Sequence, residues 1–185
     1  MINDVLHDSE DRMKKTIEAV DRELAAIRTG HAHVGLVDHV KVDYFGTSLP
    51  VNQMATVQAP EARMLTIQPW DRNALVAIEK ALAMSDLGLN PSNDGQIIRL
   101  VIPPLTEQRR KEMIKLVHSR IEDGRVAVRN VRRDGNEHIK RLVQNKEASE
   151  DDQRKAQEQL QKLTDRYIAV IDQRGKDKEA ELLEV

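Results

Sequence analysis

Between Ile114 and Leu142 the residues Ile114, Val117, Ile121, Gly124, Val128, Val131, Gly135, His138 and Leu142 step by alternating fours and threes, with no proline among them. A seam sustained for about four heptads demands one long helix that buries an edge against partner helices. Two other stretches carry similar spacing. From Ile2 to Ile27 the apolar residues Ile2, Leu6, Met13, Val20, Leu24 and Ile27 recur at three, four or seven, and Thr29-Gly30 supplies the stop. Near the other end, Ser149-Glu150-Asp151-Asp152 places a cap and three carboxylates at the positive end of a helix whose seam is Ala156, Leu160, Leu163, Tyr167 and Val170. Three such edges cannot each be buried alone. The economical packing is a long antiparallel three-helix bundle, its last two helices joined through a tight turn from Gln144 to Ser149.

The stretch from Gly30 to Pro104 has a different texture. It holds the prolines and the aromatics Tyr44, Phe45 and Trp70, and helical periodicity gives way to short strands at Val40–Tyr44, Thr56–Ala59, Met64–Gln68 and Ile97–Ile102. One helix interrupts them, over about Asn73 to Met84, with Asp71 as a cap. Gly46 offers a turn, and Asp86–Pro91 and Asn93–Gly95 read as loop and turn. The fold class is therefore α+β: a bundle domain of residues 1–29 plus 105–185, with a small α/β domain of residues 30–104 inserted into it. Thr106 is placed to cap the long helix that follows. The insertion is entered at Thr29-Gly30 and left at Pro103-Pro104. One permissive and one stiff tether restrict it to swinging about the line that joins them, so hinges are expected near 29–31 and 102–105. Gly124 and Gly135, costly in a helix, mark close approach of helices.

Charge sharpens the functional reading. The whole chain carries a formal net charge of -2, but residues 105–141 hold 11 Lys and Arg against 6 Asp and Glu, an excess of 5, while every other stretch is mildly acidic. Arg125, Arg129, Arg132 and Arg133, with Asn136 and Lys140, fall within an arc of roughly 100° on the long helix, away from the Val128 and Val131 seam. The helical neighbours able to neutralise them are Glu122, Asp123, Asp134 and Glu137. A charged helix face is ordinarily just solvated. Here four arginines occur within nine residues, and no lysine falls among those nine. Arginine grips phosphate bidentately, and aromatics make up only 2% of the chain, so shape recognition of folded RNA fits better than stacking on single strands. A helical scaffold that binds other proteins is the alternative, and it predicts binding insensitive to salt.

Other chemistries find little support. The chain has no cysteine, which excludes disulfides and thiolate chemistry. No apolar run approaches the roughly 20 residues of a membrane span, and MINDVLHDSEDRMKK lacks the layout of a signal peptide, so a cytoplasmic protein is expected. His31-x-His33 lacks a clear third ligand, and no metal site or cofactor is expected. Neither a Ser/His/Asp pattern nor a glycine-rich phosphate loop stands out, and the expectation is that the chain is not an enzyme. Met13, Met54, Met64, Met84 and Met113 are more simply expected as core fillers than as a binding surface.

Several segments, namely Ile27-Arg28-Thr29-Gly30, Asp86-Leu87-Gly88-Leu89-Asn90-Pro91, Pro103-Pro104-Leu105-Thr106-Glu107 leading into Arg109-Arg110-Lys111, and above all RVAVRNVRRD from Arg125 to Asp134, carry a resemblance. With Ser149–Asp152 and Gln161–Asp165, they make the chain resemble the bacterial ribosome recycling factor family from end to end. That resemblance implies an L-shaped molecule of transfer-RNA dimensions, with a three-helix bundle and a hinged small α/β domain of β/α/β-like layers. It implies a monomer that binds the large ribosomal subunit, on its 23S ribosomal RNA, after termination. Elongation factor G with GTP would then drive subunit separation and release of messenger RNA. Matched residue by residue, Arg132 is the first candidate for an RNA contact, then Arg129, Arg133 and Arg28, with Arg125 on the same stripe. The hinge falls at Thr29, Gly30, Pro103, Pro104 and Leu105. The chain departs from the family at His31, where arginine is usual, at Gln108, where glutamate is common, and at Gly124 and Gly135, where alanine is usual.

Overall fold

A computed structural model describes residues 1–184. The chain divides into two compact units, one made of Met1–Thr29 with the chain from Glu107 onward, the other of Gly30–Thr106. The second boundary lies two residues beyond the Pro103-Pro104 break. Leu105 stays with the inserted unit because its backbone and side chain lie against Gly30, within 3.2 Å and 3.3 Å of where a Cβ on that glycine would stand.

The larger unit is a bundle of α1 (Ile2–Ala25), α3 (Glu107–Gln144) and α4 (Glu150–Leu183). Interhelical pairs give the directions. Arg12 meets Asp134 at 2.8 Å and Arg120 meets Glu23 at 3.9 Å, so α1 and α3 run in opposite senses. Arg125 meets Asp172 and His118 meets Glu179, so α3 and α4 are antiparallel as well. Glu10 meets Arg166 and Asp21 meets Arg174, so α1 and α4 run parallel. The α3–α4 turn is closed by Glu147 N–H to Leu142 C=O at 2.8 Å and Lys146 N–H to Val143 C=O at 3.0 Å, with Lys146 left-handed at φ 61°. This is a Schellman closure, made here with a non-glycine residue. Ser149 then caps α4 through a full capping box with Asp152, whose carboxyl is held below its usual range by the Ser149 hydroxyl and then by the Ser149 backbone N–H.

The buried line differs from the sequence seam in places. On α3, Ile139 is fully buried and His138 is exposed. On α4, Thr164 and Ile171 are buried where Leu163 and Val170 were expected, and those two are only half-buried. A strict alternation of threes and fours has a period of 3.5 and drifts around a helix of 3.6 residues per turn, so over many turns steps of four must outnumber steps of three. Thr164 is tolerated there because its hydroxyl donates to Leu160 C=O at 2.8 Å. Helix α1 stops at Ala25, short of Ile27, which remains buried after a last turn tightened by an Ile27 N–H to Leu24 C=O bond.

Glycines set the spacing of the bundle. A Cβ on Gly124 would stand 2.7 Å from Val20 Cγ2, and one on Gly135 would stand 2.8 Å from Ser9 Oγ. Gly175, unremarked in the sequence, does the same on α4, where a Cβ would lie 2.7 Å from Ile121 Cγ1.

The inserted unit contains β1 (Lys41–Tyr44), β2 (Thr47–Pro50), β3 (Ala55–Glu61), β4 (Met64–Pro69), α2 (Leu75–Ala83), β5 (Ser92–Asn93) and β6 (Ile98–Val101). Strands β1 and β2 form a hairpin whose two turn residues, Phe45 and Gly46, both have positive φ, as a tight type I′ turn requires. The other four strands form an antiparallel sheet in the order β3-β4-β6-β5. Asp71 caps a short 3-10 turn at Arg72–Ala74 that leads into α2. A single core joins Val42 of the hairpin, Ile78 and Leu82 of α2, and Leu65, Ile67, Ile98 and Leu100 of the larger sheet. Strands β2 and β5 were not evident from residue pattern. Both are short, and pairing with a stronger neighbour defines them.

Candidate nucleic-acid interface

The arginines of α3 begin at the edge of the buried line, closer to it than the sequence arc suggested. Arg125 and Arg132 flank Val128, and both are half-buried against α4. Arg125 donates through Nε to Asp172 Oδ1 at 2.7 Å and through Nη1 to Glu122 Oε2 at 3.0 Å. Those hydrogen bonds, Asp172 first and Glu122 second, hold its guanidinium above the ordinary arginine pKa. Among the described residues, Arg129 has only a long contact, 3.7 Å, to the same Glu122. Arg132 Nη1 donates to a neutral acceptor, Gln161 Oε1 on α4, at 2.9 Å. Arg133 is exposed and, among the described residues, has no hydrogen-bond or ion-pair partner.

The neighbouring acids are otherwise engaged. Asp134 is taken by Arg12 at 2.8 Å, Asp123 by Arg120 at 3.7 Å and Glu137 by Arg141 at 3.6 Å. Of the four acids that helical spacing names, only Glu122 turns to the ridge, and the second carboxylate arrives from α4 as Asp172. Four arginines against two carboxylates leave a local excess of two positive charges, concentrated at Arg132 and Arg133. A guanidinium in that state presents a planar fork suited to phosphate oxygens.

Neither Asp172 nor Gln161 is visible from spacing along α3, because both belong to the register between helices. Gln161–Asp165 did stand among the segments that carry the family resemblance. Arg28 lies past the end of α1 and is exposed, followed by half-buried Thr29. Gly30 is left-handed at φ 78°, Pro103 and Pro104 are exposed, and Leu105 is half-buried. Just inside these tethers, Ala32 N–H donates to Ala62 C=O at 2.7 Å and Ile102 N–H donates to Arg63 C=O at 2.8 Å. Both tethers thus enter the inserted unit at the same β3–β4 connection. Among the described residues, no three His, Asp or Glu side chains gather to hold a metal ion, and no helix is long and apolar enough to cross a membrane.

A family model described as Ribosome recycling factor matches residues 20–183. The chain belongs to the ribosome recycling factor family. The ribosome-recycling factor of Thermomicrobium roseum is 55% identical over 185 residues, covering all of both chains. That of Nitratidesulfovibrio vulgaris is 56% identical over 181 residues, 98% of this chain and 97% of the relative. Among solved structures, a solution structure of the ribosome recycling factor superposes with a TM-score of 0.79 at 43% identity, covering 100% of this chain and 98% of that one. A second, the Thermus thermophilus ribosome recycling factor placed with Escherichia coli elongation factor G on the E. coli post-termination complex, gives 0.66 at 45% identity over the full length of both chains. The fold of a ribosome recycling factor, a helical bundle with a small α/β unit, is the one described above.

Proposed function

We propose that this ribosome recycling factor anchors its bundle to 23S ribosomal RNA of the large subunit through Arg132 and Arg133, with Arg129 and Arg28 adding contacts. Elongation factor G with GTP then pushes the inserted α/β unit about the tethers at Thr29-Gly30 and Pro103-Pro104-Leu105. The bundle levers the subunits apart and releases messenger RNA. The chain itself supplies binding and leverage, and no catalysis; the nucleotide belongs to the partner. It acts as a monomer in the cytoplasm. Arg125 is assigned a different part from its neighbours: with two carboxylates on it, it ties α3 to α4.

The observation that carries this reading is the pair Arg132 and Arg133, left without a carboxylate on a helix where nearby cations are ion-paired. A relative placed with elongation factor G on a post-termination complex supports the choice of partners. Arg132→Ala and Arg133→Ala should each weaken binding to large subunits by about 1–3 kcal/mol and lower the slope of log affinity against log salt by about one. Unchanged affinity and slope in both variants would remove the ridge from the interface. Post-termination ribosomes mixed with the protein, elongation factor G and GTP should separate into subunits, and intact ribosomes in the complete mixture would contradict the function.

A further inference from the structure

The neutral contact to Arg132 has a support of its own. Gln161 Oε1 accepts from Arg132 Nη1 at 2.9 Å, while Gln161 Nε2 donates to Asp165 Oδ1, one turn further along α4, at 2.8 Å. A side-chain amide has a donor end and an acceptor end, and an ionised carboxylate only accepts. Asp165 therefore claims the NH2 end, and the carbonyl end is the one left for α3. Without Asp165 the amide is free to turn its NH2 toward the guanidinium, which repels it. The chain Asp165–Gln161–Arg132 fixes the arginine fork through one Nη atom and leaves its other donors and its charge available.

The contrast with Arg125 shows what this achieves. Arg125 is held by two carboxylates, which orient it and cancel its charge together. Among the described residues no carboxylate is in ion-pair contact with Arg132. An arginine oriented by an amide is ready for phosphate without the rotamer entropy loss of a free side chain, and without a counter-charge that phosphate must displace.

We propose that Gln161 and Asp165 are positioning residues that pre-orient the Arg132 guanidinium for an RNA phosphate through a neutral amide, so that a carboxylate on α4 strengthens binding to an anionic partner. This rests on the reading of Arg132 as an RNA contact. Charge alone gives the opposite sign for Asp165, since removing an acid near an RNA-facing ridge should tighten binding.

The test measures affinity of the full chain for purified large ribosomal subunits at several salt concentrations, with melting followed in parallel. Gln161→Leu and Asp165→Ala should each weaken binding about three- to tenfold. Both positions are exposed, so the melting temperature should hold. Asp165→Asn, which keeps a carbonyl acceptor for Gln161, should restore binding. In an Arg132→Ala background neither Gln161→Leu nor Asp165→Ala should cost anything further. Binding by Asp165→Ala that equals or exceeds wild type overturns the proposal while leaving the Arg132 contact intact, and so does a Gln161→Leu loss of the same size with and without Arg132. An Arg132→Ala variant that binds like wild type removes the contact itself, and the positioning role with it.

Discussion

Alanine at position 124 tests whether the bundle is spaced by its glycines. In an exposed helix interior, Gly→Ala stabilises by about 1 kcal/mol, because alanine loses less backbone entropy on folding. At Gly124 the new Cβ would stand 2.7 Å from Val20 Cγ2, whereas carbon atoms prefer about 3.5–4.0 Å, so one helix must move by about 1 Å. Val20 is only 3% exposed and β-branched, with little rotamer freedom to yield. Overpacking of this kind costs about 1–3 kcal/mol, so the net change runs from neutral to about 2 kcal/mol destabilising. Val20→Ala removes the clashing methyl, and in that background Gly124→Ala should stabilise by the full 1 kcal/mol or so while refilling the space. The coupling energy of the double-mutant cycle, about 1–3 kcal/mol, is then the overpacking term alone. Urea unfolding followed by helical circular dichroism gives all four corners. The reasoning is refuted if Gly124→Ala stabilises equally in both backgrounds, for then α1 and α3 are not in contact at that point. Family members with alanine here should carry a smaller residue opposite or a wider α1–α3 spacing.

Two other outcomes follow from the inserted unit. Asp94 accepts from the Ile97 and Gln96 backbone N–H groups and from Arg99, which bring its pKa from 3.8 down to about 2; the ionised form favours folding, so its contribution is complete above the unfolded value and is lost as pH falls from about 4 toward 2. The melting temperature of wild type should therefore drop more steeply across that interval than that of Asp94→Asn, and parallel curves would remove the link. Gly30→Ala and Gly46→Ala both force alanine to positive φ, at a cost of about 1–2 kcal/mol, but only Gly30 has a backbone atom, Leu105 N, at 3.2 Å from the new Cβ. Gly30→Ala should be the more destabilising of the two in unfolding experiments, and equal losses would mean that the two tethers do not pack.

What could be read from residues alone was local. Ser149 with Asp152 behind it is a helix start in any context, Thr29-Gly30 breaks a pattern that nothing else breaks, and alternating runs such as Val40–Tyr44 can hide one face only as strands. Each signal needs only the chain's own neighbours. Strand β2 was missed because Thr47-Ser48-Leu49-Pro50 has no alternation to detect; it is a strand because the Phe45-Gly46 turn delivers it to β1 in register. Ile139 for His138 and Thr164 for Leu163 are errors of accumulated phase, and a polar threonine satisfied by its own helix gives no apolar signal at all.

The candidate site was legible in its members and illegible in their division of labour. Counting charges along α3 makes Arg125, Arg129, Arg132 and Arg133 four equivalent cations with four acids nearby. The register between α3 and α4 makes them unequal. It brings Asp172 to Arg125 and Gln161 to Arg132, an acid to one and an amide to the other, seven residues apart on the same face. Meanwhile α1 draws Asp134 away to Arg12. The free charge therefore gathers in the second half of RVAVRNVRRD, at Arg132 and Arg133, by a mechanism that no single-helix pattern can express. Moving α4 by one turn relative to α3 would replace these partners with others and redistribute the positive potential, while every residue of the motif stayed in place. An arginine cluster on a bundle helix thus keeps its charge only where the facing helix declines to neutralise it, and here the residue that declines is Gln161.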